Sequence, residues 1–201
     1  QFDLLAENWS TRILSHAPKY VGFSAFTQRN RLMIKLLCGK LRQKDRNVKL
    51  LVGGADCSDT IALLQPDQLV DFYILGEADE AIVQLLRGDL SFPGINSLAR
   101  PIKSLSDIPI PDYSNLDFSQ YTSQPPTFYV TASRGCPYQC TFCDVRSIWQ
   151  SYRLRDPERV LKEIEFYIRT YNARKFLFTD SLLNGNMAHY RALLTGLSRL
   201  R

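Results

Sequence analysis

Apolar and polar positions over residues 1–88 follow two alternating patterns. Short continuous apolar runs predict buried parallel strands at 21–26, 48–54 and 69–76. Between and around these runs, apolar residues recur every three or four positions. This spacing predicts helices at 3–16, 29–44, 60–65 and 77–88. Strand–helix alternation of this kind predicts an α/β fold with a doubly wound parallel sheet.

The alternation resumes in the last third of the chain. It predicts strands at 127–133 and 175–180 and helices at 156–171 and 187–200. The first of these helices has Asp156 as its cap and Pro157 in its first turn. Two β/α units leave the last strand without a neighbour. We therefore expect the chain to be a fragment of a longer protein, truncated at both ends and inactive by itself.

The intervening residues 91–126 show no regular periodicity and contain six of the ten prolines. They are predicted to form an extended linker packed between two units. The predicted organisation is an α/β domain over 1–90, a linker over 91–126 and the start of a second domain over 127–201.

Composition favours an ordinary globular protein of a reducing compartment. The apolar fraction is 45% and the charged fraction 22%. No apolar run reaches about 18 residues, so no membrane span is predicted, and the first residues lack the basic region of a signal peptide. Five cysteines, three of them within residues 136–143, favour a cytoplasmic protein with a metal site over a disulfide framework.

The net charge of +5 comes from residues 136–201, which carry 11 basic and six acidic side chains. A basic surface suits an anionic small molecule or a polyanion such as RNA. An arginine-rich solvated helix face explains the same charge, and we favour it. The charge alone therefore does not indicate a nucleic-acid partner.

Cys136, Cys140 and Cys143 have the spacing C-x3-C-x2-C and are the predicted metal ligands. A structural zinc site takes four ligands, and the two histidines, His16 and His189, lie on predicted helices as ordinary surface or packing residues. With three thiolates, one iron of an iron–sulfur cube keeps an exchangeable position. A non-catalytic zinc-binding or thiol redox-sensing module is the open alternative.

The cysteine spacing directly after a strand, with Phe142 before the last cysteine, resembles the signature of the radical S-adenosylmethionine (SAM) superfamily. The resemblance implies a partial (β/α) barrel and a [4Fe-4S] cluster whose open iron chelates the methionyl group of SAM. Reductive cleavage of SAM would then give a 5′-deoxyadenosyl radical that attacks a small-molecule substrate. It also implies an external electron donor such as flavodoxin or ferredoxin.

The resemblance further implies the residues that contact SAM. Phe142 would lie beside the adenine. Thr179, Asp180 and Ser181 occupy the place of a GGE-like segment that contacts the methionine amino group, although the glycine pair is absent. The alternative role for Asp180 is a helix cap or a turn.

The sequence also suggests roles for three further residues near the cysteines. Gly135 is expected to let the backbone turn sharply before Cys136. Arg153 and Arg155 either meet the SAM carboxylate or pair on the surface, and we favour the surface.

The amino-terminal unit resembles the cobalamin (B12)-binding domains of the methionine synthase type, which are Rossmann-like. Ser24 and the pair Gly53–Gly54 have the matching spacing, and GEADE at 76–80 matches a GEGE-like stretch of radical enzymes that carry this domain. The D-x-H-x-x-G element would lie upstream of residue 1, and Phe26 replaces a leucine. The resemblance implies cobalamin-dependent methyl transfer; without cobalamin, ring formation, oxidation and methylthiolation remain open. Glycine pairs also end strands in many doubly wound sheets.

Overall fold

The computed structural model describes residues 2–121 and 125–200. The chain divides into two compact units, 1–102 and 103–201. The boundary falls inside the segment predicted as a linker, so the structured parts of that segment belong to one unit or the other. In the described residues, no helix is long and apolar enough to cross a membrane.

The first unit is an α/β layer structure around a parallel sheet in the order β1-β2-β3-β4. Its strands are β1 (Tyr20–Ser24), β2 (Lys49–Gly53), β3 (Phe72–Leu75) and β4 (Ser97–Leu98). Its helices are α1 (Phe2–Leu14), α2 (Arg31–Lys44), α3 (Cys57–Leu64) and α4 (Ala81–Arg87). The predicted doubly wound parallel sheet is confirmed, and β4 is an additional strand from the predicted linker.

Strand β2 explains why helices cover both faces of this sheet. Its side chains are buried in both directions, since Leu50 and Val52 pack into one apolar cluster and Leu51 into another. The first cluster includes Ile34, Cys38 and Leu41 of α2, and the second includes Ala81 and Leu85 of α4. A strand buried on both faces reads as a continuous apolar run, which is the pattern seen in the sequence.

The second unit contains two small sheets. Its strands are β5 (Thr127–Val130), β6 (Ser133–Arg134), β7 (Arg153–Leu154) and β8 (Lys175–Phe178). Its helices are α5 (Val145–Ile148), α6 (Pro157–Tyr171) and α7 (Met187–Leu197). Strands β5 and β8 pair in parallel, whereas β6 and β7 form an antiparallel pair. The predicted strand 127–133 is therefore two strands with a break at Thr131–Ala132.

The core of the second unit is aromatic. Phe128 of β5 packs between the rings of α6 and the proline-rich segment, with ring centroids 5.0 Å from Tyr167, 5.7 Å from Tyr113 and 5.5 Å from Phe118. Tyr113 and Phe118 lie in the predicted linker. Because each brings a large apolar ring to the core, this part of the segment is a fixed component of the unit.

A buried ion pair joins α6 to strand β7 and the end of β5. The Arg155 guanidinium donates to Glu163, and these residues are 4% and 2% exposed. Tyr167 donates its hydroxyl to the second Glu163 oxygen at 3.0 Å. Burial and the Glu163 charge raise the pKa of Tyr167. The expectation that Arg155 lies on the surface is wrong, because α6 supplies a carboxylate that compensates the buried guanidinium.

We expect Glu163→Gln to lower the free energy of unfolding by about 3–5 kcal/mol, because it leaves a guanidinium charge buried without a counter-ion. The matched control is Glu165→Gln on the same helix. Glu165 lies 4.0 Å from exposed Arg169, and its replacement is expected to cost less than about 0.5 kcal/mol. Urea titration of both variants measures the difference. Equal losses would contradict a structural role for the buried pair.

Candidate functional site

The three cysteines lie in the loop that joins the antiparallel strands β6 and β7. Cys136 is half-buried, Cys140 and Cys143 are exposed, and all three are free thiols. The Cys143 N–H donates to the Cys140 carbonyl at 3.2 Å, which forms a turn between the last two cysteines. The loop therefore presents three accessible sulfur atoms within eight residues.

The base of this cysteine loop is closed by backbone packing and a cation–π contact. Gly135 has φ +82°, and a Cβ there would lie 2.5 Å from the Ser151 carbonyl oxygen. This confirms the sharp turn expected before Cys136. The Arg134 guanidinium lies 5.0 Å from the centroid of the Trp149 ring. The two ends of the loop are thus held together independently of the cysteines.

The structure does not gather the cysteine sulfurs around a common centre. Among residues 2–121 and 125–200, no group of three or more His, Cys, Asp or Glu side chains has the arrangement of a metal site. The role of Cys136, Cys140 and Cys143 as metal ligands therefore stays a prediction. Thiols on an exposed loop have no mutual attraction, and metal sites generally assemble as the metal binds. The donor set, three accessible thiols on one loop, fits an iron–sulfur cluster.

The other two cysteines have a different environment. Cys38 and Cys57 are buried in the core of the first unit. Burial raises the pKa of Cys38 to about 12 and that of Cys57 to about 11. Because the thiolate is the metal ligand, these two side chains are unsuited to binding a cluster.

Asp180 joins the end of β8 to the start of the cysteine loop. Its carboxylate accepts the Ala132 N–H at 3.1 Å and the Ser133 hydroxyl at 2.5 Å. Beside it, the Thr131 and Thr179 hydroxyl oxygens are 2.8 Å apart. These bonds fix the orientation of the carboxylate and leave part of its acceptor capacity unused.

The alternative role of Asp180 as a helix cap is wrong, because Asn186 occupies that position. The Asn186 side chain accepts the His189 N–H at 3.0 Å at the start of α7. His189 itself is buried, with Nε2 2.7 Å from the Arg155 carbonyl oxygen. It is a packing residue, as predicted.

The remaining residues expected to contact SAM lie on the surface. Ser181 and Thr179 are exposed, and the Phe142 ring is 88% exposed. Sequence analysis missed Tyr152, whose ring packs against Gly185 beside this region. The only indication of this contact in the sequence was Gly185, which lies between two asparagines just before α7.

In the first unit, the predicted cobalamin residues meet at the carboxyl edge of the sheet. Ser24 pairs with Gly53 in the register of β1 and β2. Gly54 has φ +106°, and a Cβ there would lie 2.6 Å from the Ala25 carbonyl oxygen. Only glycine permits this close approach of the two strand ends. Ser24 and Phe26 are exposed at the same edge.

An ion-pair cluster that sequence analysis missed lies at the start of the following helices. Arg31 donates to Asp56 from Nε and Nη2, both at 2.5 Å, and to Asp59 at 2.6 Å. The hydrogen bond from Arg31 lowers the pKa of Asp56. The sequence contained only a weak indication of this cluster, because a single acidic residue shortly after a glycine pair does not by itself predict an ion pair. Further along the edge, Gly76 has positive φ and Glu77 of the GEADE stretch is buried.

The family model of the radical SAM superfamily matches residues 130–195. The match spans the end of β5, the cysteine loop, β8 and most of α7. The radical SAM signature predicted from the cysteine spacing is thereby confirmed for residues 130–195. Enzymes of this superfamily use a [4Fe-4S] cluster and SAM.

Relatives of this chain include cyclases and methylases. It is 35% identical over 83 residues to the anaerobic magnesium-protoporphyrin IX monomethyl ester cyclase of Rubrivivax gelatinosus, over 40% of this chain and 15% of the relative. Identity to the Synechocystis cyclase is 24% over 84% of this chain and 38% of the relative. Identity to the hopanoid C-2 methylase of Rhodopseudomonas palustris is 27% over 72% of this chain and 27% of the relative. The chain thus spans well under half the length of these proteins.

Solved structures show the same fold over nearly the whole chain. The radical SAM methyltransferase TsrM from Kitasatospora setae, with tryptophan substrate and a SAM analogue bound, superposes with a TM-score of 0.71 at 16% identity. The alignment covers 95% of this chain and 43% of TsrM. TsrM with cobalamin and a [4Fe-4S] cluster bound gives a TM-score of 0.69.

We expect Gly135→Ala to open the base of the cysteine loop. The positive φ and the forced contact with Ser151 together cost about 2 kcal/mol. Iron retained after anaerobic reconstitution should fall, and urea titration should show the loss of stability. The control is Gly39→Ala in α2, where an added methyl meets nothing within 4 Å. Unchanged iron retention in Gly135→Ala would show that this turn is not needed for the site.

Proposed function

We propose that the protein containing this chain is a radical SAM enzyme in which Cys136, Cys140 and Cys143 hold a [4Fe-4S] cluster. The observation that carries the proposal is the presence of three free, accessible thiols in the loop inside the matched segment. When bound, the cluster supplies the electron that cleaves SAM reductively to methionine and a 5′-deoxyadenosyl radical. The chain's own part is to present the thiolates and to orient SAM beside them.

Asp180 is the residue best placed to orient SAM. Its carboxylate is fixed by Ala132 and Ser133, two residues that lead directly into the cysteine loop. A fixed carboxylate with unused lone pairs can accept a hydrogen bond from the methionine ammonium group without a change in its own orientation. Thr179 and Ser181 flank it on the exposed side, and the Phe142 ring offers an apolar face for the adenine.

The first unit is proposed to bind cobalamin at its carboxyl edge. The ends of β1 and β2 leave the backbone uncovered by large side chains at Ser24, Gly53 and Gly54. Ligands of parallel α/β sheets usually bind at the carboxyl ends of the strands. Methyl transfer to an unactivated carbon or phosphorus is then the favoured reaction. The methylase relative and the TsrM fold support it, whereas the cyclase relatives support ring formation.

The substrate is proposed to be a small molecule. Reductive cleavage needs a low-potential electron. We propose that an external donor such as flavodoxin or ferredoxin supplies it in the cytoplasm.

Anaerobic reconstitution with iron and sulfide tests the cluster. The wild-type chain is expected to turn brown, with about four irons per chain and an absorbance band at ~400 nm. Replacing any one of Cys136, Cys140 and Cys143 with alanine should abolish retention of the full cluster. The matched controls are Cys38→Ala and Cys57→Ala, which remove buried thiols and should keep the iron. A colourless protein with one bound zinc would instead support the thiol or zinc module.

Titration of the full-length protein with hydroxocobalamin tests the second site. Gly53→Val should weaken binding by about tenfold, because a side chain then occupies the bare strand edge. The fold should tolerate it, since a Cβ at Gly53 meets Ile74 only at 3.7 Å and valine suits a strand. The control is Gly22→Val, on β1 but opposite Leu51 rather than at the edge. An unchanged cobalamin spectrum with the wild-type protein would refute cobalamin binding.

A further inference from the structure

Tyr152 has a buried hydroxyl oxygen that lies close to the Ser133 side chain and the Asn186 backbone. The residue lies just before β7, at the return end of the cysteine loop. Its ring packs against Gly185. A Cβ at Gly185 would lie 2.7 Å from the Tyr152 hydroxyl oxygen and 2.9 Å from Cζ.

The Tyr152 ring lies between two parts of the candidate SAM site. Burial raises the pKa of Tyr152, and the charges of Asp180 and Cys136 act in the same direction. Ser133 and the Asn186 backbone are close enough to act in the opposite direction. The ring therefore stands where the base of the cysteine loop meets the segment 181–186, which joins β8 to α7.

Segment 181–186 is already fixed at both ends. At one end, Asp180 is bonded to Ala132 and Ser133. At the other, Asn186 caps α7 through the His189 N–H. Between them, the Gly185 N–H donates to the Leu182 carbonyl at 3.3 Å, and the Tyr152 ring fills the space in which a side chain at 185 would lie. The ring thus sets how closely this segment approaches the cysteine loop.

We propose that Tyr152 is a positioning residue for SAM, which acts by packing its ring against Gly185. The contact fixes segment 181–186, which begins at Ser181 directly after Asp180, relative to the thiolates. This inference rests on the proposed function, because it assigns a role in SAM binding. It concerns the ring, which makes the contact with Gly185.

SAM affinity of the reconstituted full-length protein, measured by equilibrium dialysis and normalised to iron content, tests the proposal. Gly185→Ala should lower the affinity about tenfold, because small misplacements of binding groups are expensive. Tyr152→Phe should stay within about twofold of wild type, because it keeps the ring that packs against Gly185. Tyr152→Leu removes the ring and should by itself lower the affinity by about fivefold or more. The double variant should bind SAM within about twofold of Gly185→Ala alone, because both changes break the same contact.

The control for general crowding is Gly196→Ala on α7. A Cβ there would lie 2.1 Å from Leu161 Cδ1, a contact between α7 and α6. This variant should keep its SAM affinity even if its melting temperature falls. Equal losses of affinity in Gly196→Ala and Gly185→Ala would overturn the proposal, as would a Tyr152→Leu variant that keeps wild-type affinity. A wild-type protein that holds the cluster but binds no SAM would refute the proposed function itself, before any variant is compared.

Discussion

The bonds of the Asp180 carboxylate to Ala132 and Ser133 are the constraint on which the second unit depends. They join the end of β8 to the residue before β6 and to its first residue, and β6 leads into the cysteine loop. Parallel strands align their carboxyl ends, but this alignment alone does not fix the loops that follow. A carboxylate that accepts from a backbone N–H and a hydroxyl fixes the segments after β5 and β8 relative to each other, and so brings the predicted thiol ligands and the residues proposed to orient SAM to one edge.

The buried interactions beneath this edge keep it rigid. Arg155 is tied to Glu163 of α6 and lies within 3.4 Å of the Thr131 carbonyl, so strand β7 cannot move independently of β5. The aromatic rings around Phe128 close the other side of the same layer. The cysteine loop itself is exposed, and metal binding is expected to supply the energy that gathers its sulfurs. A rigid base and an adaptable loop suit a site that assembles around its cofactor.

The two units use the same edge of their sheets for the proposed chemistry. In the first unit, Gly54 lets the ends of β1 and β2 approach, and Arg31 and Asp56 pair where the next helices begin. In the second, β6 begins after a two-residue break beyond the end of β5 and leads into the cysteine loop. Ligand sites in parallel α/β structures lie at these carboxyl ends because loops there diverge and helix starts offer free N–H groups.

The sequence by itself determined the strand–helix order, the doubly wound sheet and the cysteine spacing, because these depend on periodicity and on residues close together in the chain. It also indicated Gly135 and Gly54, where only glycine fits. The buried position of Arg155, the split of the predicted strand after Val130, the packing of Tyr113 and Phe118, and the contact of Tyr152 with Gly185 were decided by tertiary structure. Each depends on partners tens of residues away, and local pattern carries no information about which distant side chain will compensate a charge or fill a space.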